Sequence, residues 1–323
     1  MADLGLKNIL RKGSLSLFFW IISILASMAT HIRAGEITAE RIDNLTRTYR
    51  FTFTGFRDSG SPIPFGQGVF RFGDDSFQEG NFNVTITPID NEIEMVQFQL
   101  VHTYSSSKRF IVSYREENRN RDIINMDASG VTPFYVESMI NVDPFAGLNN
   151  SPILTVPPID FAAVGVKFIH NPGAYDPDGD SLAFHITTPK QSVFSFVANY
   201  VPLDDSRFYT NPKQGNEGQN HDSELTLDPI KGDLVWDAPG DLLNQGDKAE
   251  YNVAFVIEEW RYNKVLKQWK LLGFVTRDMQ IIVRETDNER PNLQVPDDLC
   301  VEAGMTVSEL IQGTDPDGDP VKI

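Results

Sequence analysis

The residues best suited to chemistry form one short acidic motif, Asp-Pro-Asp-Gly-Asp, which occurs twice. The first copy runs from Asp176 to Asp180 and the second from Asp315 to Asp319, an offset of 139 residues. Carboxylates at positions i, i+2 and i+4 of a turn offer hard oxygen ligands, and the glycine permits tight backbone curvature. Calcium, which takes about six to eight oxygens, suits such a loop. The candidate ligands are Asp176, Asp178, Asp180, Asp315, Asp317 and Asp319.

A simpler interpretation is that Asp, Pro and Gly are the ordinary residues of an exposed turn. The motif nevertheless recurs within a longer repeated frame, which favours a shared structural role. The matched pairs include Asn149 with Asn288, and Gly165 with Gly304. The loop is not an EF-hand, because Ser181 stands where that loop needs glycine and Thr187 where it needs glutamate.

The segments that precede the two loops supply further candidate ligands. Cadherin-like modules collect calcium ligands from the linker between modules as well as from an acidic loop, and Asp287-Asn288-Glu289 resembles such a linker. Asp143 with Asn149-Asn150 takes the same place one module earlier. We therefore expect calcium as the cofactor, bound at the junctions between modules.

No constellation in the sequence favours catalysis. The five histidines are scattered, and neither a His-Glu-x-x-His zinc motif nor a Gly-x-Ser-x-Gly elbow is present. Glu258 and Glu259 are adjacent strand residues that point to opposite faces, so they are interpreted as a solvated strand end. The sequence predicts a protein that is not an enzyme.

Charge and cysteine content limit the possible partners. The 323 residues carry a net charge of -17, with a pI near 4.7, which argues against nucleic acid because phosphate binding needs a basic surface.

Cys300 is the only cysteine, so no disulfide can form within the chain. We interpret it as a buried structural thiol, with a partner cysteine beyond residue 323 as the alternative.

Strand periodicity runs through the chain and predicts its fold class. Tyr49, Phe51 and Phe53 alternate with polar residues, as in a half-buried β-strand, and similar segments follow one another between turns. The prediction is an all-β protein of tandem antiparallel β-sandwich modules of Ig-like or cadherin-like type. The predicted units are 30–148, 149–287 and the start of a further, truncated repeat at 288–323.

The first 29 residues have the features of a secretory signal peptide. Lys7, Arg11 and Lys12 form a basic region, an apolar run covers 15–25, and Ser27-Met28-Ala29 is a small-x-small cleavage site. The apolar run is shorter than the roughly 20 residues that a membrane-spanning helix needs. No later segment is apolar enough to span a membrane, so the mature chain is predicted to lack a transmembrane segment.

Several segments resemble large exported surface proteins of gliding Bacteroidetes, often labelled gliding-motility-associated proteins. The opening Thr30-His31-Ile32-Arg33-Ala34-Gly35-Glu36-Ile37 and Phe56-Arg57-Asp58 are similar to the start of that family. The similarity continues at Thr276-Arg277-Asp278-Met279-Gln280-Ile281 and Asn288-Glu289-Arg290-Pro291. The family often has a cysteine where Ser59 stands, and a type IX secretion sorting domain that does not occur within this sequence.

The resemblance implies a non-catalytic protein of the outer cell surface, associated with the outer membrane, that serves adhesion or surface display. Its expected partners are other surface proteins or polysaccharide. The alternative is an accessory, carbohydrate-binding part of a secreted hydrolase, because exposed aromatic residues can stack on sugar rings. The aromatic residues concerned are Trp236, Trp260, Tyr262 and Trp269, with core packing favoured for Trp236.

We expect the mature chain to begin near Thr30, since residues 1–29 combine basic charge, short apolar length and a small-residue cleavage site. N-terminal sequencing of the protein from the cell surface or medium checks this. A cytoplasmic protein with an intact Met1 contradicts it.

Overall fold

The computed structural model describes residues 32–43, 45–61, 64–143, 149–296, 300–302 and 304–321. The predicted signal peptide lies outside these residues. Within them the chain has no α-helix and three short 3-10 turns, at Ser129–Val131, Ser206–Phe208 and Pro212–Gln214. The predicted all-β fold class is confirmed.

The strands follow one another along the chain at short intervals. In order they are β1 (Ile32–Arg41), β2 (Thr48–Asp58), β3 (Val69–Arg71), β4 (Phe77–Glu79), β5 (Thr85–Pro88), β6 (Ile93–Thr103), β7 (Arg109–Glu116), β8 (Phe134–Asn141), β9 (Ile153–Leu154), β10 (Ile159–Ala163), β11 (Phe168–His170), β12 (Ala174–Tyr175), β13 (Ser181–Thr187), β14 (Lys190–Ser192), β15 (Ser195–Phe196), β16 (Glu224–Leu227), β17 (Leu234–Asp237), β18 (Lys248–Asn263), β19 (Gln268–Arg284), β20 (Asn292–Gln294) and β21 (Gln312–Thr314).

Strand β19 organises the largest sheet. One of its edges pairs with β18 along nearly the whole hairpin. Its other edge takes three partners in succession: β8 near Phe274, β1 at Asp278, and β10 from Gln280 onward. The pairing with β10 is parallel, whereas the other pairings of the sheet are antiparallel. Strands from residues 32–143 and from residues 149–284 therefore belong to one sheet.

Two hydrophobic cores lie on this framework. The first comes from strands before residue 143 and is rich in aromatic rings, with centroids of Phe53 and Tyr114 only 4.4 Å apart. The second is built mainly from residues after 153 around the fully buried Trp236. A register shift in β1 sends Ile32 to the first core and Ala34 to the second. The β-strand alternation predicted around Phe51 is confirmed, because that ring is fully buried.

Buried charged residues join residues 32–143, the first segment, to residues 149–284, the second segment. Both guanidinium NH2 groups of Arg119 donate to the carboxylate of Asp278, at 2.9 and 2.6 Å, and these side chains are at most 1% exposed. Arg277 donates to Glu36 at 2.7 Å. Arg33 contacts two acids, Asp58 at 2.5 Å and Glu250 at 2.8 Å. We call these seven residues the ionic seam.

The division at 148/149 and 287/288 stays a prediction, to which the strand pairings add a constraint. Because β1 and β8 pair with β19, residues 30–148 and 149–287 share backbone hydrogen bonds and ion pairs. Separating the two segments would leave buried charges without partners, so the pair is expected to fold as one body.

Residues 288–321, where described, form only the two-stranded ladder β20–β21, and most of their side chains are exposed. This agrees with the expectation that the segment is too short to bury a core. Cys300 is exposed, so its interpretation as a buried structural thiol is wrong. The β20–β21 ladder encloses no interior in which a thiol could be buried.

We expect Asp278→Ala to lower the free energy of unfolding by about 3–5 kcal/mol, because Arg119 would keep a buried charge without its partner. Glu40→Ala is the matched control, since it breaks an exposed pair with Arg50 and is expected to cost less than about 1 kcal/mol. Urea unfolding of both variants measures the difference. Equal costs would show that the seam does not stabilise the fold.

Candidate metal centre

Both acidic loops have the same local structure. In the first, the Oδ1 atom of Asp176 accepts backbone N–H bonds from Asp178 at 2.9 Å and Asp180 at 3.0 Å. In the second, Asp315 accepts the equivalent bonds at 2.9 and 3.2 Å. The glycine of each loop has a positive φ, 82° and 84°, a conformation that glycine adopts at low cost. The motif therefore encodes one turn in both places.

The second residue of each predicted repeat contacts the turn in the same way. The backbone N–H of Asn150 donates to Asp178 Oδ2 at 2.6 Å, and that of Glu289 donates to Asp317 Oδ2 at 2.6 Å. Asn150 and Glu289 are equivalent positions of the repeat. The linker therefore contacts the loop through a backbone donor, and the prediction that its side chains supply calcium ligands stays a prediction.

Only the first loop meets a third buried acid within the described residues. Oxygens of Asp176, Asp180 and Glu259 lie within 4.8 Å of one another. Glu259 is fully buried, and neither of its carboxylate oxygens has a hydrogen-bond partner. The Oδ2 atom of Asp176 is also buried without a partner. Two of the three clustered acids thus carry buried oxygens without a hydrogen-bond donor, an arrangement that is costly unless a proton or a cation satisfies them.

Gly273 leaves space for the Glu259 side chain next to β8. The two residues are opposite each other in the β18–β19 register. A Cβ atom at Gly273 would lie 2.6 Å from the carbonyl oxygen of Met139 and 3.1 Å from Oε2 of Glu259. A side chain there would push β8 and β19 apart, so the acid cluster depends on glycine at this position.

Burial and mutual repulsion make it unfavourable for all the carboxyl groups of the cluster to be ionised together. Burial, followed by the negative charge of Asp176, raises the pKa of Glu259 to about 9. Burial also raises the pKa of Asp176. Arg261 neutralises Asp180, donating from Nε to Oδ1 at 2.7 Å and from Nη2 to Oδ2. Its Nη2 also donates to Asn149 Oδ1 at 3.1 Å.

The donors fit a hard divalent cation. Asp176, Asp180 and Glu259 would hold it through carboxylate oxygens, the ligand type that calcium prefers. The bound cation would supply the positive charge that the cluster lacks, and Arg261 already shares one of the three acids. In its absence a proton on Glu259 would serve the same electrostatic purpose.

The predicted ligands are thus divided between two places. Asp176 and Asp180 come together, whereas Asp178 turns toward Asn150. The predicted ligands of the second place are Asp287, Asn288, Glu289, Asp315, Asp317 and Asp319, which lie around the exposed second loop. Their role as ligands stays a prediction. Asp143 pairs instead with Lys270 at 2.9 Å.

Sequence reasoning missed Glu259. The interpretation of Glu258 and Glu259 as a solvated strand end is wrong for Glu259, which is fully buried, whereas the placement on opposite faces agrees with the half-burial of Glu258. Glu259 meets Asp180 only after β13 and β18 pair, about eighty residues along the chain. No local pattern of the sequence marks that contact.

Comparisons with known proteins give little further information. No family profile and no curated protein matches this chain. The N-terminal Ig1-2 module of the Drosophila receptor protein tyrosine phosphatase DLAR is a structural neighbour with a TM-score of 0.22 and 10% identity, covering 73% of this chain and 90% of that one. A protocadherin gammaB7 EC3-6 structure has a TM-score of 0.22 and 10% identity, covering 79% of this chain and 62% of that one. These scores are too low to imply shared topology or function.

We expect stability in chelator to fall as the pH rises from about 4.5 toward 9. The folded-state pKa of Glu259 lies above its unfolded value of 4.5, so folding takes up a proton in that window. The loss is at most about 1.4 kcal/mol per pH unit. Glu259→Gln, which is neutral at every pH, should remove this part of the slope. Urea unfolding at pH 5, 7 and 9 measures it, and identical slopes for both proteins contradict the assignment.

Proposed function

We propose that this chain is an exported, non-catalytic surface protein whose β-sandwich units serve adhesion or display, and that calcium stiffens the junctions between them. The observation that carries the proposal is the cluster of Asp176, Asp180 and Glu259, where a fully buried acid lies beside two others and neither of its oxygens accepts a hydrogen bond of good geometry, although a contact with Asn149 partly offsets the rise of its pKa. Calcium-rich surroundings outside a cell would supply the missing charge.

The position of the cluster explains why calcium would act on stiffness. Asn149 and Asn150 stand where the chain passes from the first segment to the second, and they hold Arg261 and Asp178. Glu259 lies on β18, beside Gly273 and the Met139 carbonyl of β8. A cation at the cluster would tie the acidic loop to β18 of the same segment, next to the point where the chain arrives from the first segment; without a cation the carboxylates repel one another there.

The second junction follows the same plan in our proposal. Asp315, Asp317 and Asp319 would bind calcium with help from the linker Asp287-Asn288-Glu289, whose backbone already donates to Asp317. The equal donor distances at the two loops support this extension. The exposure of the second loop supports weaker binding there, because exposed acids keep their hydration without a cation.

A surface location follows from the predicted signal peptide and from the resemblance to gliding-motility-associated proteins. In the described part of the chain, no helix has the length and apolar character needed to cross a bilayer. Other surface proteins or polysaccharide would be the partners, with the outer membrane as the place of attachment. The alternative, an accessory part of a secreted hydrolase, is not favoured.

We expect calcium to raise the melting temperature of the mature chain and a chelator to reverse the increase. A ligand at a hundredfold excess over its Kd adds about 2.7 kcal/mol of stability when it binds only the folded state. Asp176→Asn and Glu259→Gln should each abolish most of the calcium-dependent shift.

The chain contains its own control for this experiment. Asp315→Asn makes the same substitution in the same turn, away from any buried third acid, and should leave most of the calcium-dependent shift in place. A shift that survives Glu259→Gln unchanged, or no shift in any protein, contradicts the proposal.

A further inference from the structure

A row of aromatic side chains lies on the outer face of the β18–β19 hairpin. Tyr262 and Trp269 are opposite each other in the strand register, with ring centroids 5.3 Å apart. Their exposed fractions are 43% and 54%. Trp260 is half-buried and, two residues before Tyr262, lies on the same face. Rings this exposed add little to the core, and clustered exposed aromatics mark binding surfaces.

Polar groups continue the same face toward the middle of the sheet. Glu258, two residues before Trp260, accepts a hydrogen bond from its indole Nε1 at 3.0 Å. His185, which is exposed on β13, is paired with Val256 two residues further along. A hollow of about 240 Å³ follows, with Glu258, His185, Phe274 and the half-exposed Phe196 among its lining residues. The strip therefore alternates flat apolar rings with hydrogen-bonding side chains.

From this alternation we infer that the strip binds an extended neutral polysaccharide. The apolar C–H face of a sugar ring stacks on an aromatic ring, while its hydroxyls need donors and acceptors at the rim. Between Tyr262 and Val256, which lines the hollow, the strip extends about 20 Å, at about 3.3 Å per strand residue. That length accommodates several consecutive sugar rings. The inference rests on the proposed adhesive function and names the class of its ligand.

The net charge of the protein and the charges at the hollow argue for a neutral chain over an acidic one. The protein has a net charge of -17, which repels polyanions. At the hollow, the cation Lys190 is already paired with Glu137 at 2.5 Å, and Glu258 adds a negative charge. A neutral sugar can accept from and donate to such groups without meeting unbalanced repulsion.

The two faces of β18 carry the residues of two different candidate sites. Glu258, Trp260 and Tyr262 point to the strip, whereas Glu259 and Arg261 point to the acid cluster. Substitutions on one face can therefore be made without removing a side chain from the other. This separation permits independent tests of the two sites.

Affinity gel electrophoresis of the mature chain tests the inference, with hydroxyethylcellulose, arabinoxylan and galactomannan as neutral probes and polygalacturonate as the anionic probe. We expect retardation by at least one neutral probe and none by polygalacturonate. Trp269→Ala, alone or combined with Tyr262→Ala, should weaken the association at least tenfold. Trp269→Phe should have an affinity between those of Trp269→Ala and the parent. Phe77→Ala removes an equally exposed ring on β4 and should change nothing.

Melting curves in calcium and in chelator separate this inference from the proposed function. The Trp269→Ala variant should keep the melting temperature and calcium response of the parent, since its side chain is exposed. If the parent protein binds polysaccharide but shows no calcium-dependent change in melting temperature, the calcium proposal alone is contradicted. The inference is overturned by the absence of retardation with all neutral probes, by retardation that Trp269→Ala does not weaken, or by binding of polygalacturonate only.

Discussion

Burial of charge where β1 and β19 meet is the constraint on which the rest of the structure depends. Arg33, Arg119 and Arg277 are almost without solvent contact, and each is held by acids contributed from elsewhere in the chain. Removing such charges from water is costly, so the arrangement is stable only where every partner is in place. The seam therefore fixes one way of bringing residues 32–143 and 149–284 together, and with it the course of β19.

The position of β19 determines in turn what its hairpin partner β18 can do. One face of β18 carries Glu259, which lies beside the acidic loop, and Arg261, which forms an ion pair with Asp180. The opposite face looks outward and carries Trp260 and Tyr262. Strand alternation thus gives a single strand one face with the acid cluster and one face with exposed aromatic rings.

The duplicated acidic loop shows how one local structure acquires different chemistry from its surroundings. Asp176 and Asp315 close equal turns, and the backbone N–H groups of Asn150 and Glu289 donate to Asp178 and Asp317 at equal distances. What differs is the third acid, which β18 brings only to the first loop among the described residues. Where solvent surrounds the carboxylates they remain hydrated, whereas the buried set needs a counter-charge.

The sequence alone determined the all-β class, the aromatic face of β2 and the two acidic turns. These depend on neighbouring residues, whose periodicity and turn chemistry can be read directly. The segments that resemble the surface-protein family contain Arg33, Glu36, Arg277 and Asp278. Their sequence does not indicate that these residues form buried ion pairs. Only the tertiary structure decided the shared sheet, the burial of Glu259 and the exposure of Cys300. Each depends on strand pairing between residues far apart in the chain, and charge or thiol burial is set by that pairing rather than by local sequence.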